Sequence, residues 1–128
     1  MKNKPLELEV LPQTLCVCKL SSNENIPAWA LTANFYSISK TSEELSIVCE
    51  QSSVPEKIKC EREWRCFKVK GPLDFGLTGI LASIAKPLAE NSISIFSIST
   101  FDTDYVLVKK DTLNLAIQVL IKSGIKVL

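Results

Sequence analysis

The segment Ser97–Val108 has the sequence S-I-S-T-F-D-T-D-Y-V-L-V. Apolar and polar residues alternate before its centre and an apolar run resumes after it, and both patterns are typical of strands. The centre carries aspartates and hydroxyls, whose side chains bond nearby backbone amides and favour turns. The segment therefore predicts a β-hairpin. Its polar turn either only reverses the chain or also lines a ligand site.

The residues around this hairpin complete one folding unit. An apolar i, i+3, i+4, i+7 pattern predicts a helix over Leu77–Glu90, with Pro87 expected to kink or thin its last turn. A second helix is predicted over Thr112–Ser123, with Asp111 as its N-cap and Gly124 ending it. Strands are predicted at Trp64–Lys70, Ser92–Phe101, Asp104–Lys109 and Ile125–Leu128. The order β-α-β-β-α-β is that of the ferredoxin-like fold.

The first half of the chain is a poorer copy of the same order. Strands are predicted at Leu15–Leu20, Asn34–Thr41 and Glu44–Glu50, with one or two helical turns at Pro27–Leu31, a helix or loop at Val54–Glu63 and an extra strand within Leu6–Leu11. Phe35–Ser39 matches Ile95–Ser99 at an offset of 60 residues, although two alternating strands can also match by chance. The predicted fold class is α+β, with two tandem ferredoxin-like units, a degenerate one at 1–63 and a complete one at 64–128.

Composition excludes several functions. The 128 residues carry a net charge of +1 with no basic block, which disfavours nucleic acid as a partner. No apolar run is long enough to cross a membrane and no secretory leader is seen, so a cytoplasmic protein is expected. Because the chain has no histidine, no Ser-His or Cys-His pair can form, and an enzyme is not expected.

The five cysteines are an odd number, and no two are spaced C-x-x-C. Since zinc sites usually contain such pairs or Cys/His combinations, the expectation is buried thiols that act as small apolar groups, with neither metal nor cofactor. A metal or redox role is the alternative. Cys16 and Cys18 lie two apart on a predicted strand and so point to one face.

Four stretches together carry a family resemblance: the loop and helix start Gly71–Leu81, the helix residues Pro87–Ala89, the strand start Ile93–Phe96 and the turn Ser99–Tyr105. The combination resembles the ACT-like domain of small bacterial tandem-ACT proteins and the ligand-binding ACT domains of CASTOR-type arginine sensors. The resemblance is strong over 64–128 and weaker over 15–63. It implies an amino-acid-binding regulatory protein that pairs as a homodimer, with the ligand at the domain interface and an unknown protein partner downstream.

Carried over position by position, the resemblance implies a ligand site built from the loop, the helix start and the turn. Its residues are Asp74, Phe75, Gly76, Leu77, Thr78, Gly79, Ser94, Ile95, Thr100, Phe101, Asp102 and Asp104. The sensors have a glutamate at the position of Leu77, so arginine is not specified as the ligand.

The chemistry of these residues suits an amino acid. Amides at a helix N-terminus suit its carboxylate, and an aspartate of the turn suits its ammonium or a cationic side chain. Alternatives remain: a turn that only reverses the chain, glycines that serve helix packing, and a dimerisation module whose pocket has decayed. A small enzyme that uses Asp102 has the least support.

Overall fold

The computed structural model describes residues 6–71 and 78–128. They form an α+β fold, as the sequence predicts, with eight strands and two α-helices. The strands are β1 Glu7–Val10, β2 Leu15–Leu20, β3 Tyr36–Lys40, β4 Leu45–Glu50, β5 Cys60–Val69, β6 Ile95–Ser99, β7 Asp104–Lys109 and β8 Lys126–Val127; the helices are α1 Ile80–Glu90 and α2 Leu113–Lys122.

The chain divides into two compact units, and strand β5 supplies residues to both. The N-terminal unit is Gln13–Trp64. The C-terminal unit is Arg65–Leu128 together with the segment up to Pro12. The extra strand expected within Leu6–Leu11 is confirmed as β1, and it belongs to the C-terminal unit.

The N-terminal unit is a four-stranded antiparallel sheet in the order β3-β4-β2-β5, which is the ferredoxin-like strand order. The structure describes every residue of this unit, and none is in an α-helix. Short 3₁₀ turns at Ala28–Leu31 and Gln51–Ser53 stand where helices would be. Its core therefore consists mainly of strand residues: Cys16, Cys18, Leu20, Ala30, Leu45, Ile47, Cys49 and Val54.

The C-terminal unit has the strand order β6-β7-β5-β1-β8. In the simple ferredoxin-like order β8 would lie beside β5, but here β1 lies between them, antiparallel to β5 and parallel to β8. The L-E-V alternation of β1 explains this insertion, because it buries Leu8 in the core. Both helices pack on the sheet through a core of Leu8, Phe67, Val69, Ile84, Leu88, Ile93, Val106, Val108, Ala116, Leu120 and Ile125.

Two local predictions were wrong. Strand β5 begins at Cys60, within the segment predicted as a helix or loop, because its cross-strand pairing with β2 decides the structure of a mixed, charged sequence. The N-cap of α2 is Thr112 rather than Asp111, since a 3₁₀ turn at Lys110–Thr112 precedes the helix. The helix α1 continues through Pro87 to Glu90.

The hairpins of the two units correspond at an offset of 59 residues, one fewer than the sequence match suggests. Strand β3 begins at Tyr36 and β6 at Ile95, while β4 begins at Leu45 and β7 at Asp104. The 3₁₀ turns that begin at Gln51 and Lys110 have the same separation. A shift of one residue reverses which side chains share a sheet face, so the correct offset matters for comparing the two units.

Within residues 6–71 and 78–128, no helix combines the length and the apolar character that crossing a membrane requires.

Candidate functional site

The turn between β6 and β7 consists of Thr100–Thr103 and is closed by its own atoms. The Thr100 backbone amide donates to the Thr103 carbonyl oxygen at 2.8 Å. The Thr100 hydroxyl donates to the same carbonyl at 3.1 Å and accepts from the Thr103 amide at 3.3 Å. The prediction that a threonine side chain of this turn bonds a nearby backbone amide is therefore confirmed, and the turn needs no ligand to close.

Thr103 fixes the turn to the neighbouring strand. Its side chain is buried, and its hydroxyl donates to the carbonyl oxygen of Val69 at 2.6 Å. Val69 is the last residue of β5 and lies two positions before Gly71, where the predicted ligand loop begins. This hydrogen bond therefore anchors the turn to the end of β5, just before the predicted ligand loop begins.

Asp104 lies at the end of the hairpin and is held by Ser99. The two residues face each other across β6 and β7, and the Ser99 hydroxyl donates to Asp104 Oδ1 at 2.6 Å. Asp104 is half-buried, so its carboxylate keeps access to solvent. A carboxylate can accept about four hydrogen bonds, which leaves acceptor capacity for a cationic group.

The other predicted turn and strand residues lie at the surface of the C-terminal unit. Phe101 is 79% exposed, and Thr100 and Asp102 are exposed beside it. Ser94 is exposed, and Ile95 is half-buried at the start of β6. In the part of the chain that the structure describes, β6 pairs only with β7, so it forms one end of its sheet.

The loop and helix start are described only in part. Asp74, Phe75, Gly76 and Leu77 lie outside the described residues. Thr78 is exposed, and Gly79 is the N-cap of α1 with φ of +77°. Among the residues that the structure describes, none has an atom within 4 Å of a Cβ placed on Gly79, and the positive φ is the backbone reason for a glycine at this position.

Two residues that the sequence prediction omitted hold this site together. Ser99 and Thr103 make the hydrogen bonds to Asp104 and Val69. Both are part of the polar turn sequence, but only the strand register identifies Ser99 as the partner of Asp104. Likewise, only the fold shows that Thr103 points inward while Asp102 stays exposed.

A second group of reactive side chains lies in the N-terminal unit. Cys16 and Cys18 are on β2, Cys49 is on β4 opposite Cys16, and Cys60 is on β5 opposite Cys18. The Sγ atoms of Cys16 and Cys18 are 3.7 Å apart. Those of Cys16, Cys18 and Cys60 all lie within 4.8 Å of one another. We call these four residues the cysteine cluster.

The thiols of the cysteine cluster influence one another. Hydrogen bonding with Cys16 and with Cys49, with burial in addition, raises the pKa of Cys18. The hydrogen bond with Cys18 lowers the pKa of Cys49, and burial raises the pKa of Cys60. Cys66 lies outside the cluster, and burial alone raises its pKa to about 12.

The family model for the ACT domain matches residues 59–122, which is half of the chain. A second model, which describes an N-terminal domain, matches residues 13–57.

The relatives include the cytosolic arginine sensor for mTORC1 subunit 1. The Homo sapiens protein is 47% identical over 58 residues and the Mus musculus protein 45% identical over 58 residues. Each match covers 44% of this chain, and this chain spans only 18% of the length of those sensors.

Two solved structures are similar over almost the whole chain. The protein Atu0741 from Agobacterium tumefaciens is 39% identical with a TM-score of 0.92, covering 98% of this chain and 94% of that one. The regulatory subunit of aspartate kinase from Thermus thermophilus has a TM-score of 0.60 at 9% identity, covering 91% of this chain and 95% of that one. This second likeness concerns the fold alone.

Proposed function

Because the chain belongs to the ACT-domain family, we propose that it is a regulatory protein that binds an amino acid and works as a homodimer. The observation that carries the proposal is the pair of hydrogen bonds that hold the turn and its carboxylate in place. Thr103 holds it to the end of β5, and Ser99 orients the Asp104 carboxylate beside it. The matched relatives, named as cytosolic arginine sensors, support the ligand class and a cytoplasmic location. The proposal keeps two sequence domains, 1–63 and 64–128, although β1 of the first belongs to the C-terminal unit.

Each part of an amino acid has a counterpart in the proposed site. Amides of the Asp74–Gly79 segment, at the start of α1, would bind the carboxylate, since a helix N-terminus favours anions. Asp104, with Asp102 nearby, would accept hydrogen bonds from the ammonium or from a cationic side chain. Thr100 and Phe101 would line the ligand's stem. All these roles are binding roles, and we propose no catalytic step.

The proposed dimer places the ligand between subunits. Strand β6 lies at one end of its sheet, and Ser94 and Ile95 at its start are accessible to a second copy. A symmetric pair would bring two C-terminal units together, as closed dimers commonly do. Binding of a ligand across such an interface is linked to association, so each strengthens the other. The response would be altered contact with a regulated protein.

The test is a thermal-shift screen of the purified chain against the twenty amino acids. A ligand at 100 times its Kd adds about 2.7 kcal/mol of stability, which is several degrees for a chain of this size. We expect one amino acid to raise Tm.

Two variants of Asp104 then locate the ligand. Asp104→Asn keeps an oxygen that can accept from Ser99 but removes the charge, whereas Asp104→Ala removes both. Each should weaken binding by about 10- to 100-fold, the range of a charge-assisted hydrogen bond. Glu43→Ala, at the position 59 residues before Asp102 in the other hairpin, is the control and should bind normally. Unchanged affinity in both Asp104 variants would remove this residue from the site.

A second candidate is a dimerisation module without a ligand. It is favoured by Thr41, whose hydroxyl closes the other hairpin in the same way as Thr100, so chain reversal alone is enough to explain this turn geometry. A stable dimer by sedimentation, with no Tm shift for any amino acid, would support this candidate over the first.

A further inference from the structure

We propose that the cysteine cluster binds a thiophilic closed-shell metal ion, and that Zn²⁺ fits its sulfur ligands best. The cluster belongs to the N-terminal unit and is independent of the proposed amino-acid site. Sequence spacing alone did not predict a metal site, because the paired cysteines lie on different strands. Cys16 faces Cys49 and Cys18 faces Cys60 only once β2, β4 and β5 are in register.

Three of the sulfur positions are close to those of a tetrahedral site. With Zn–S bonds of about 2.3 Å, the edge of a sulfur tetrahedron is about 3.8 Å. The Cys16 and Cys18 sulfurs are already 3.7 Å apart, and the Cys60 sulfur is within 4.8 Å of both. Cys49 lies outside this group of three, but it faces Cys16 across the strands and shares a hydrogen bond with Cys18, so its side chain would be the fourth ligand.

This arrangement favours a metal ion over a disulfide. The two sulfur atoms with a measured short separation belong to Cys16 and Cys18. These residues lie two apart on one strand, where a disulfide bond is not expected. The sulfur atoms of Cys16, Cys18 and Cys60 converge, since each lies within 4.8 Å of the other two. Soft thiolates are the ligands that Zn²⁺ and Cu⁺ select.

A bound metal ion would add stability to the N-terminal unit. It lacks α-helices, and three of the eight buried residues in its core are cysteines. Units of this size have little core and are only marginally stable, and a disulfide, a metal ion or a partner commonly adds to their stability. A bound ion would connect three neighbouring strands from inside that core.

The residues around the cysteine cluster leave a route for an ion to enter and supply a positive charge. Cys60 is half-buried, so an ion can reach the cluster from its side. On binding, each coordinating thiol releases its proton to solvent, and Cys60 exchanges its 3.3 Å hydrogen bond to the Ile58 carbonyl for the metal. The Arg62 side chain acts on Cys60 as a positive charge and would offset part of the thiolate charge.

The experiment measures metal binding to the full chain, purified reduced and metal-free without oxygen. Zn²⁺ is titrated in competition with a chromophoric chelator, and Cd²⁺ serves as a probe through its thiolate charge-transfer absorption. Cu⁺ is tested in a separate arm to identify the preferred ion. We expect one ion per chain, an ultraviolet band with Cd²⁺, and a higher Tm that a chelator reverses.

The variants assign the ligands. Cys60→Ser and Cys49→Ser should each lower affinity by at least about tenfold, since even loss of a ligand's supporting partner costs 10–100-fold. Cys66→Ala, a buried cysteine outside the cluster, should bind normally. Circular dichroism checks that each variant folds, and Cys60→Ser is the mildest change because Cys60 is half-buried.

Three results would overturn the proposal. One is no stoichiometric binding of either ion to the folded chain. Another is binding that Cys60→Ser and Cys49→Ser leave unchanged. The third is mild oxidation that forms a disulfide within the cluster in a chain that takes up no metal, which would assign the cysteines to redox chemistry instead.

Discussion

The two hairpins of this chain share one turn design but differ in what surrounds it. Thr41–Glu44 joins β3 to β4, and Thr100–Thr103 joins β6 to β7. In each turn, the first threonine amide donates to the carbonyl of the fourth residue, at 2.9 Å and 2.8 Å. In each, the threonine hydroxyl accepts from the fourth amide, at 3.1 Å and 3.3 Å. These common features are explained by chain reversal alone.

The differences lie in the pair of residues that face each other at the strand ends and in the side chain of the fourth turn residue. The residues that face each other at the strand ends are Lys40 and Leu45 in one hairpin, but Ser99 and Asp104 in the other. The fourth turn residue is a half-buried glutamate in the first hairpin and the buried Thr103 in the second. Chain reversal requires neither an oriented carboxylate nor a hydrogen bond to β5. We therefore expect any binding function of the second hairpin to depend on Ser99, Thr103 and Asp104.

The largest effect is expected at Thr103. Thr103→Val keeps the shape of the side chain but leaves the Val69 carbonyl without its hydroxyl donor, which costs about 1–3 kcal/mol of unfolding free energy. Thermal unfolding should show a Tm several degrees lower. The control is Glu44→Val in the other hairpin, expected within about 0.5 kcal/mol of the parent chain. If Thr103→Val and Glu44→Val lowered the free energy of unfolding equally, the hydrogen bond from Thr103 to β5 would add no stability of its own.

A smaller effect is expected at Ser99. Ser99→Ala removes the donor to Asp104 Oδ1, so the carboxylate is less well oriented. Stability should fall by about 0.5–1.5 kcal/mol, and the affinity for the amino acid found in the screen should fall by about three- to tenfold. Calorimetric titration measures the affinity. Ser97→Ala, two residues earlier on β6 and also exposed, should change neither quantity. Loss of affinity in both variants would indicate a general effect of the strand.

The same comparison shows how far sequence patterns predict this fold. Alternation and helical periodicity predicted most of the strands and both helices, because burial of one face leaves a local signal. The start of β5 at Cys60 left no such signal, since only its pairing with β2 makes it a strand. The repeat offset was wrong by one, because the shared S-I-S letters at Ser37–Ser39 and Ser97–Ser99 outweighed the threonines that begin each turn.

The candidate sites depend even more on register. The sequence located the turn and Asp104, but not Ser99 or Thr103, because a hydrogen bond across strands depends on which residues face each other. The cysteine cluster was not predicted for the same reason. Spacing rules detect ligands that are neighbours in sequence, whereas Cys49 and Cys60 reach Cys16 and Cys18 from other strands.

The smallest effect is expected from the threonines that the hairpins share. Thr41→Ala and Thr100→Ala each remove one exposed hydroxyl that bonds its own turn, so each should cost about 0.5–1 kcal/mol, and the two losses should agree. Thermal unfolding of the two variants provides this matched comparison. If Thr100→Ala also weakens amino-acid binding while Thr41→Ala does not, Thr100 contacts the ligand as well as closing its turn. If neither changes the affinity, Thr100 belongs to chain reversal, and the binding role falls to Asp104 and the residues that hold it.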